Sequence, residues 1–118
     1  MSNSNIPLLA SGKLFQSTTI GATAVVVSAA SCVLHALELD NTANVAATFV
    51  RMHNTGTVTP GTTVPDQILM VPASTKITFI MPGGVTFGTA LTITAGISAA
   101  LATTTAPSSS FAIKIVYV

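Results

Sequence analysis

Two imidazoles (His35 and His53), three carboxylates (Glu38, Asp40 and Asp66) and one thiol (Cys32) are the whole stock of histidine, carboxylate and cysteine groups in this 118-residue chain. A zinc site needs three or four such ligands converging on one point. His53 and Asp66 flank a long loop and are within reach of each other through it, but two ligands do not make a site and no metal-binding spacing is present. No metal and no cofactor are therefore expected. His53 and its neighbour Arg51 are read as lying at a strand end near water. Serines are plentiful, yet no Gly-x-Ser-x-Gly elbow occurs, and a small Thr-rich domain offers little material for a concave pocket with converging polar groups. The chain reads as a non-enzyme with no small-molecule substrate. Pro82-Gly83-Gly84 invites comparison with a phosphate cradle. Such a loop opens a helix and carries Lys-Ser or Lys-Thr beside it, whereas here strand-like Val85-Thr86-Phe87 follows, so the tripeptide reads as a turn. A single cysteine forms no internal disulfide, and Cys32 is expected to be a small buried hydrophobe.

Charge is scarce throughout. Charged residues are 6% of the chain against 49% hydrophobic, and the net charge is +1, where soluble domains average roughly 25% charged. Disorder requires the opposite balance. Nucleic-acid binding requires a dense set of cations for the phosphates, and only Lys13, Arg51, Lys76 and Lys114 exist. The longest apolar stretch, Ile20 to Leu37, is interrupted by Gly21, Thr23, Ser28, Ser31 and His35 and does not make a membrane span. The start, Met-Ser-Asn-Ser-Asn-Ile-Pro, has no basic region ahead of an apolar run, so synthesis in the cytoplasm without a signal peptide is expected.

The elements that would carry these residues are strands. Thr, Val and Ile abound and suit a pleated surface, while Gly, Pro, Asn and Ser clusters punctuate the apolar runs. Strands are predicted at Leu14–Gln16, Thr23–Ser28, Cys32–Asp40, Val45–Asn54, Gln67–Val71, Lys76–Met81, Val85–Phe87, Ala90–Ala95 and Phe111–Val118. Alternation places Val33, His35, Leu37 and Leu39 on one face of the third strand. It places Phe111, Ile113, Ile115 and Tyr117 on one face of the last, and Phe49, Phe79 and Phe111 in the core. Asp40-Asn41-Thr42-Ala43-Asn44 reads as a turn, and Pro60-Gly61 fits the central positions of a type II turn. Residues 96–110 read as a loop with room for a short helical turn at Ile97–Leu101. The fold class is all-β: an antiparallel β-sandwich, jelly-roll or immunoglobulin-like, of about seven to nine strands. Residues 1–12 form a polar N-terminal arm and residues 13–118 a single sandwich domain.

Exteriors of small domains normally carry interspersed charges that keep molecules apart. This one relies on 19 Thr and 11 Ser, which are wetted by water but repel nothing. Much of the exterior is therefore expected to be covered by protein. The predicted contacts are the arm (Ser2, Asn3, Ser4, Asn5, Ile6 and Pro7) and two long uncharged loops, through Thr57, Thr59, Pro60, Thr62 and Thr63, and through Thr104, Thr105 and Pro107.

The second half carries a resemblance. The run Asn54-Thr-Gly-Thr-Val-Thr-Pro-Gly-Thr-Thr-Val-Pro65, then Ile68-Leu-Met-Val-Pro72, Pro82-Gly-Gly-Val-Thr-Phe87, Thr89-Ala-Leu-Thr-Ile-Thr94 and Ile115-Val-Tyr-Val118 resembles small virion proteins of tailed bacteriophages, over roughly residues 46–118. The resemblance implies a structural protein of the virion of capsid cement (decoration) type, on the surface of the phage head. Its partners would be copies of itself, as a homotrimer, and a major capsid protein. It implies no catalytic residues. The alternative is a tail or fibre accessory sandwich that binds glycans, which would present Tyr117 or a Phe beside a groove; with no Trp, one Tyr and five Phe, the chain has few rings to spare.

Overall fold

The computed structural model describes residues 12–118. These form eight strands and no helix: β1 (Lys13–Ser17), β2 (Val25–Ser28), β3 (Cys32–Asp40), β4 (Thr48–His53), β5 (Gln67–Val71), β6 (Lys76–Phe87), β7 (Leu91–Gly96) and β8 (Ala112–Tyr117). They make two antiparallel four-stranded sheets, β1-β8-β3-β6 (sheet A) and β2-β7-β4-β5 (sheet B). First pairs with last, second with seventh, third with sixth and fourth with fifth. That nesting is one long hairpin rolled into two layers, so the sandwich is a jelly roll.

The core lies between the sheets. Leu34, Leu37, Leu39, Ile113 and Ile115 from sheet A meet Val50, Met52, Val71, Leu91 and Ile93 from sheet B, all essentially inaccessible to water. Phe111 is part of this core, and Phe79 packs against it half-buried. Phe49 is half-buried and not among the core residues, because it shares an outward face of β4 with Arg51. Cys32 is buried and unpaired, and desolvation there raises its thiol pKa.

Strict alternation fails in β3. His35 is an extra residue in the ladder: Leu34 pairs with Tyr117 and Ala36 with Val116. The bulge shifts the phase by one, so Cys32 and Leu34 face the core before it, and Leu37 and Leu39 after it. Val33 and His35 do not share the inward face of Leu37, and both are half-buried. The outward side chains Ala36 and Val116 form a small cluster of their own, in a row with Leu14 and Ile80.

The partner of this bulge corrects a second expectation. Pro82-Gly83-Gly84 does not separate two strands; β6 runs unbroken through it. Between the pairs Leu34–Val85 and Ala36–Ile80, four residues of β6 lie opposite one of β3. Gly84 makes this geometry possible. Its φ is +73°, and a Cβ there would collide with Val33 Cγ1 and lie 3.1 Å from His35 Cε1. The nine predicted segments thus become eight strands.

The ends of the strands are tied by a buried polar knot. Asn41 is fully buried, and its Nδ2 donates to the carbonyls of Ala46 (3.0 Å), Val71 (3.2 Å) and Pro72 (3.0 Å). Its Oδ1 accepts from Asn44 Nδ2 at 2.9 Å and Thr48 Oγ1 at 2.7 Å. Asn44 also donates to the Ser110 carbonyl and accepts from the Ser109 amide. The turn predicted here is real, closed by Asn44 N to Asn41 O at 3.1 Å, and its side chains clamp the β5–β6 and β7–β8 connections as well.

Two expected outcomes follow for stability. Gly84→Ala costs about 1–3 kcal/mol in urea unfolding, while Gly83→Ala, which meets nothing within 4 Å, stays within about 0.5 kcal/mol. Asn41→Ala removes the donor to the buried Val71 carbonyl and to the part-buried Ala46 and Pro72 carbonyls, and costs about 2–4 kcal/mol in the same measurement.

Candidate interaction surface

The central strands of sheet B are buried on both faces. Every residue of β7 is buried, as are five of the six in β4. Sheet A covers their inner side. Their outer side is covered by residues 54–66, between β4 and β5, and 97–110, between β7 and β8.

Arg51 holds the second of these loops in place. The sequence reading set it near water, but it is 5% exposed. Its Nη2 donates to the carbonyls of Ser98 (2.5 Å), Ala100 (3.0 Å) and Thr103 (3.2 Å). Three carbonyl dipoles thus solvate a guanidinium that has no carboxylate within ion-pair distance among the described residues. The same segment closes on itself through Thr103 N to Ala100 O and Ile97 N to Thr105 O, both 3.1 Å. It is a hydrogen-bonded turn and not the helical turn expected over Ile97–Leu101.

His53, also expected near water, is 1% exposed, and neither ring nitrogen makes a hydrogen bond of good geometry. Desolvation pushes its pKa below the ordinary histidine value; Arg51 on the same face acts in the same direction, opposed by Asp66 and the Val64 backbone. The space beside it, bounded by Arg51, His53, Gly61, Thr63, Thr94 and Leu101, is about 10 Å³. That admits one water-sized molecule and no substrate.

The first loop is anchored at both ends. The Asn54 amide donates to Asp66 Oδ2 at 2.6 Å, Asn54 Oδ1 accepts from the Thr89 amide at 2.8 Å, and Thr92 Oγ1 donates to the Thr55 carbonyl at 2.6 Å. His53 and Asp66 stay close, as expected, but Asp66 is spent on the loop backbone. Within the loop, Thr62 N donates to Thr59 O at 3.0 Å and Gly61 has φ +83°, which is the type II turn predicted at Pro60-Gly61.

The two loops meet. A Cβ on Gly61 would lie 3.1 Å from Thr104 Cγ2, and Pro60 and Thr104 line one open depression together with Ala22, Thr23, Ala24 and Val58. Thr57, Thr59, Pro60, Thr62, Thr104 and Thr105 are exposed, while Thr63 and Pro107 are half-buried. The structure therefore brings Pro60 and Thr104, one from each predicted loop, into one uncharged depression. The predicted arm residues, Ser2 to Pro7, lie outside the described residues.

Charge is segregated between the layers. Lys13, Glu38, Asp40, Lys76 and Lys114, five of the seven charged residues, lie on strands of sheet A. Glu38 lies 3.5 Å from Lys76 Nζ and 3.8 Å from Lys114 Nζ. Asp40 is held below the ordinary carboxylate range by hydrogen bonds from Thr42. The sheet B side has the buried Arg51 and the exposed Asp66, and it exposes Val26, Val64, Ile68, Met70, Ile97 and Leu101. Nothing in the sequence pointed to this division, because it depends on which strands share a sheet.

Tyr117 is half-buried; its hydroxyl donates to the Val27 carbonyl at 3.3 Å and its ring faces Lys13 Nζ, 6.0 Å from the centroid. Among the described residues, no group of three His, Cys, Asp or Glu side chains is placed to hold a metal ion, and no helix is long and apolar enough to cross a membrane.

No protein-family model matches the sequence, and no curated protein matches it. Among solved structures, a chain from the Bacillus endospore appendages, described as a novel family of disulfide-linked pili, aligns over 97% of both chains at 16% identity with a TM-score of 0.39. A likeness that loose adds nothing to the fold assignment, which rests on the strand pairings themselves.

The buried imidazole makes stability depend on pH. Its folded-state pKa is depressed, so the unfolded chain binds more protons as pH falls through about 6.5. The folded state is expected to lose stability from about pH 7.5 to about pH 5, with a smaller loss in His53→Gln. Equal slopes for the two proteins in urea unfolding would refute the assignment.

Proposed function

We propose that this chain is a structural subunit of a phage particle, a cement or decoration protein that binds the head shell and copies of itself. One observation carries the reading: the loop-covered side of sheet B exposes six large apolar side chains and, apart from Asp66, no accessible charge. Exposed apolar patches of this kind mark protein contact. Burial of that area, at about 25 cal/mol per Å², supplies affinity without ion pairs. The jelly-roll frame alone decides nothing, since capsid and lectin domains both use it. No groove with an exposed ring at Tyr117 favours the glycan-binding alternative. The resemblance of residues 46–118 to phage virion proteins supplies the choice of particle.

The test is co-sedimentation with empty heads of the phage whose genome encodes the chain. Binding is expected to persist from low salt to about 1 M, because screening acts on charges and few take part. A Thr59→Asp/Thr104→Asp variant, which puts carboxylates into the uncharged loops, is expected to lose at least about tenfold in affinity, about 1.4 kcal/mol. Absence of wild-type binding, or binding abolished by salt, overturns the reading.

A further inference from the structure

An unpaired sheet edge presents a row of N–H and C=O groups that templates another strand, and proteins blunt such edges with charges, prolines, bulges or short length. The sandwich has four edges: β1 and β6 in sheet A, β2 and β5 in sheet B. Three are blunted. β1 opens with Lys13. β2 is four residues long and its register shifts between Val26 and Ser28. β6 carries Lys76, Pro82 and the Gly83-Gly84 irregularity.

Within Gln67–Val71, β5 has no charge, proline or bulge; Pro65, Asp66 and Pro72 stand just beyond its ends. Gln67–Val71 pairs with β4 through five consecutive positions without a shift. Nor does it contain glycine. Among the described residues it pairs with β4 alone, so every second residue turns its N–H and C=O away from the sheet. Its outward side chains, Ile68 and Met70, are 40% and 52% exposed. A flat, uncharged run rich in β-branched and long apolar residues is the pattern that recruits a further strand.

We propose that the β5 edge pairs antiparallel with the β5 edge of a second copy of this chain across a two-fold axis, joining two copies of sheet B into one continuous sheet. The inference rests on the reading that the uncharged side is covered by protein, and it names the element that takes a second copy. A two-fold axis makes an antiparallel edge complementary to itself. Charge decides the direction. With Leu69 on the axis, Asp66 of each copy lies opposite Pro72 of the other, and the two carboxylates stand six residues, roughly 20 Å, apart, beyond the Debye length of about 8 Å. Parallel pairing would set them side by side. In the same register Ile68 of each copy lies opposite Met70 of the other, closing apolar surface on both.

The test uses the full chain in analytical ultracentrifugation, with hydrogen exchange at the Ile68–Met70 amides. The wild type is expected to dimerise, with the alternate amides of that run that face away from β4 gaining protection as concentration rises. Ile68→Lys/Met70→Lys sets lysines opposite each other, and is expected to weaken the dimer at least tenfold while leaving the thermal midpoint of the monomer near that of the wild type. Mixing it with Ile68→Glu/Met70→Glu is expected to restore association as a heterodimer. A monomer at all concentrations, a wild-type trimer, a dimer indifferent to the lysines, or failure of the mixture to associate each overturns the edge pairing. None of these touches shell binding, which co-sedimentation reads separately; loss of shell binding with an intact β5 dimer would sink the cement reading and leave the pairing standing.

Discussion

A guanidinium buried without a carboxylate governs how this sandwich treats its outer surface. Arg51 projects from the outward face of β4, where a jelly roll ordinarily meets water, and its charge is met by the carbonyls of Ser98, Ala100 and Thr103. Removing a charge from water is costly unless dipoles replace the solvent. The loop therefore has to stay closed over the strand, and the strand has to keep the arginine pointing at the loop. With that closure β4 and β7 are buried on both faces, His53 is cut off from water, and the visible exterior of sheet B becomes a surface of threonine, alanine and exposed aliphatic side chains.

The second organising feature is the division of charge between the layers. Sheet A carries the ions, with Lys76 and Lys114 near Glu38, beside an outward apolar row that leaves Leu14 and Ile80 exposed. Sheet B has almost none. In a chain with so few ions, placing five on one sheet leaves the other layer with little charge at its surface. The polar knot around Asn41 and Asn44 belongs to this economy. Buried amides satisfied by six neighbouring groups, among them the Val71 and Ser110 carbonyls, hold three connections at one end without using a charge.

Much of the frame was legible in the residues. Strand positions followed from apolar runs bounded by Gly, Pro, Asn and Ser, and seven of the nine segments match observed strands to within a few residues. The type II turn at Pro60-Gly61 was legible because proline fixes one φ and glycine admits the positive one that follows. The failures share a cause. The alternation drawn through β3 ignored the bulge at His35, and the break drawn at Pro82-Gly83-Gly84 was the other half of the same irregularity. A bulge is a relation between two strands, and neither strand shows it alone. Arg51 and His53 were placed near water because their types favour it; Arg51 is covered by a loop some 50 residues further along the chain, and His53 also by residues of the 54–66 loop.

Composition and pattern by themselves determined an all-β sandwich short of charge, since β-branched content, turn punctuation and ion counts are properties of the chain before it folds. The tertiary structure decided which two sheets form, which side of them keeps the charges, which edge is left unblunted and which polar side chains lose water. Those outcomes depend on pairing between strands distant in sequence, where the energy of a side chain is set by what lies across the sheet or above it and not by its neighbours along the backbone.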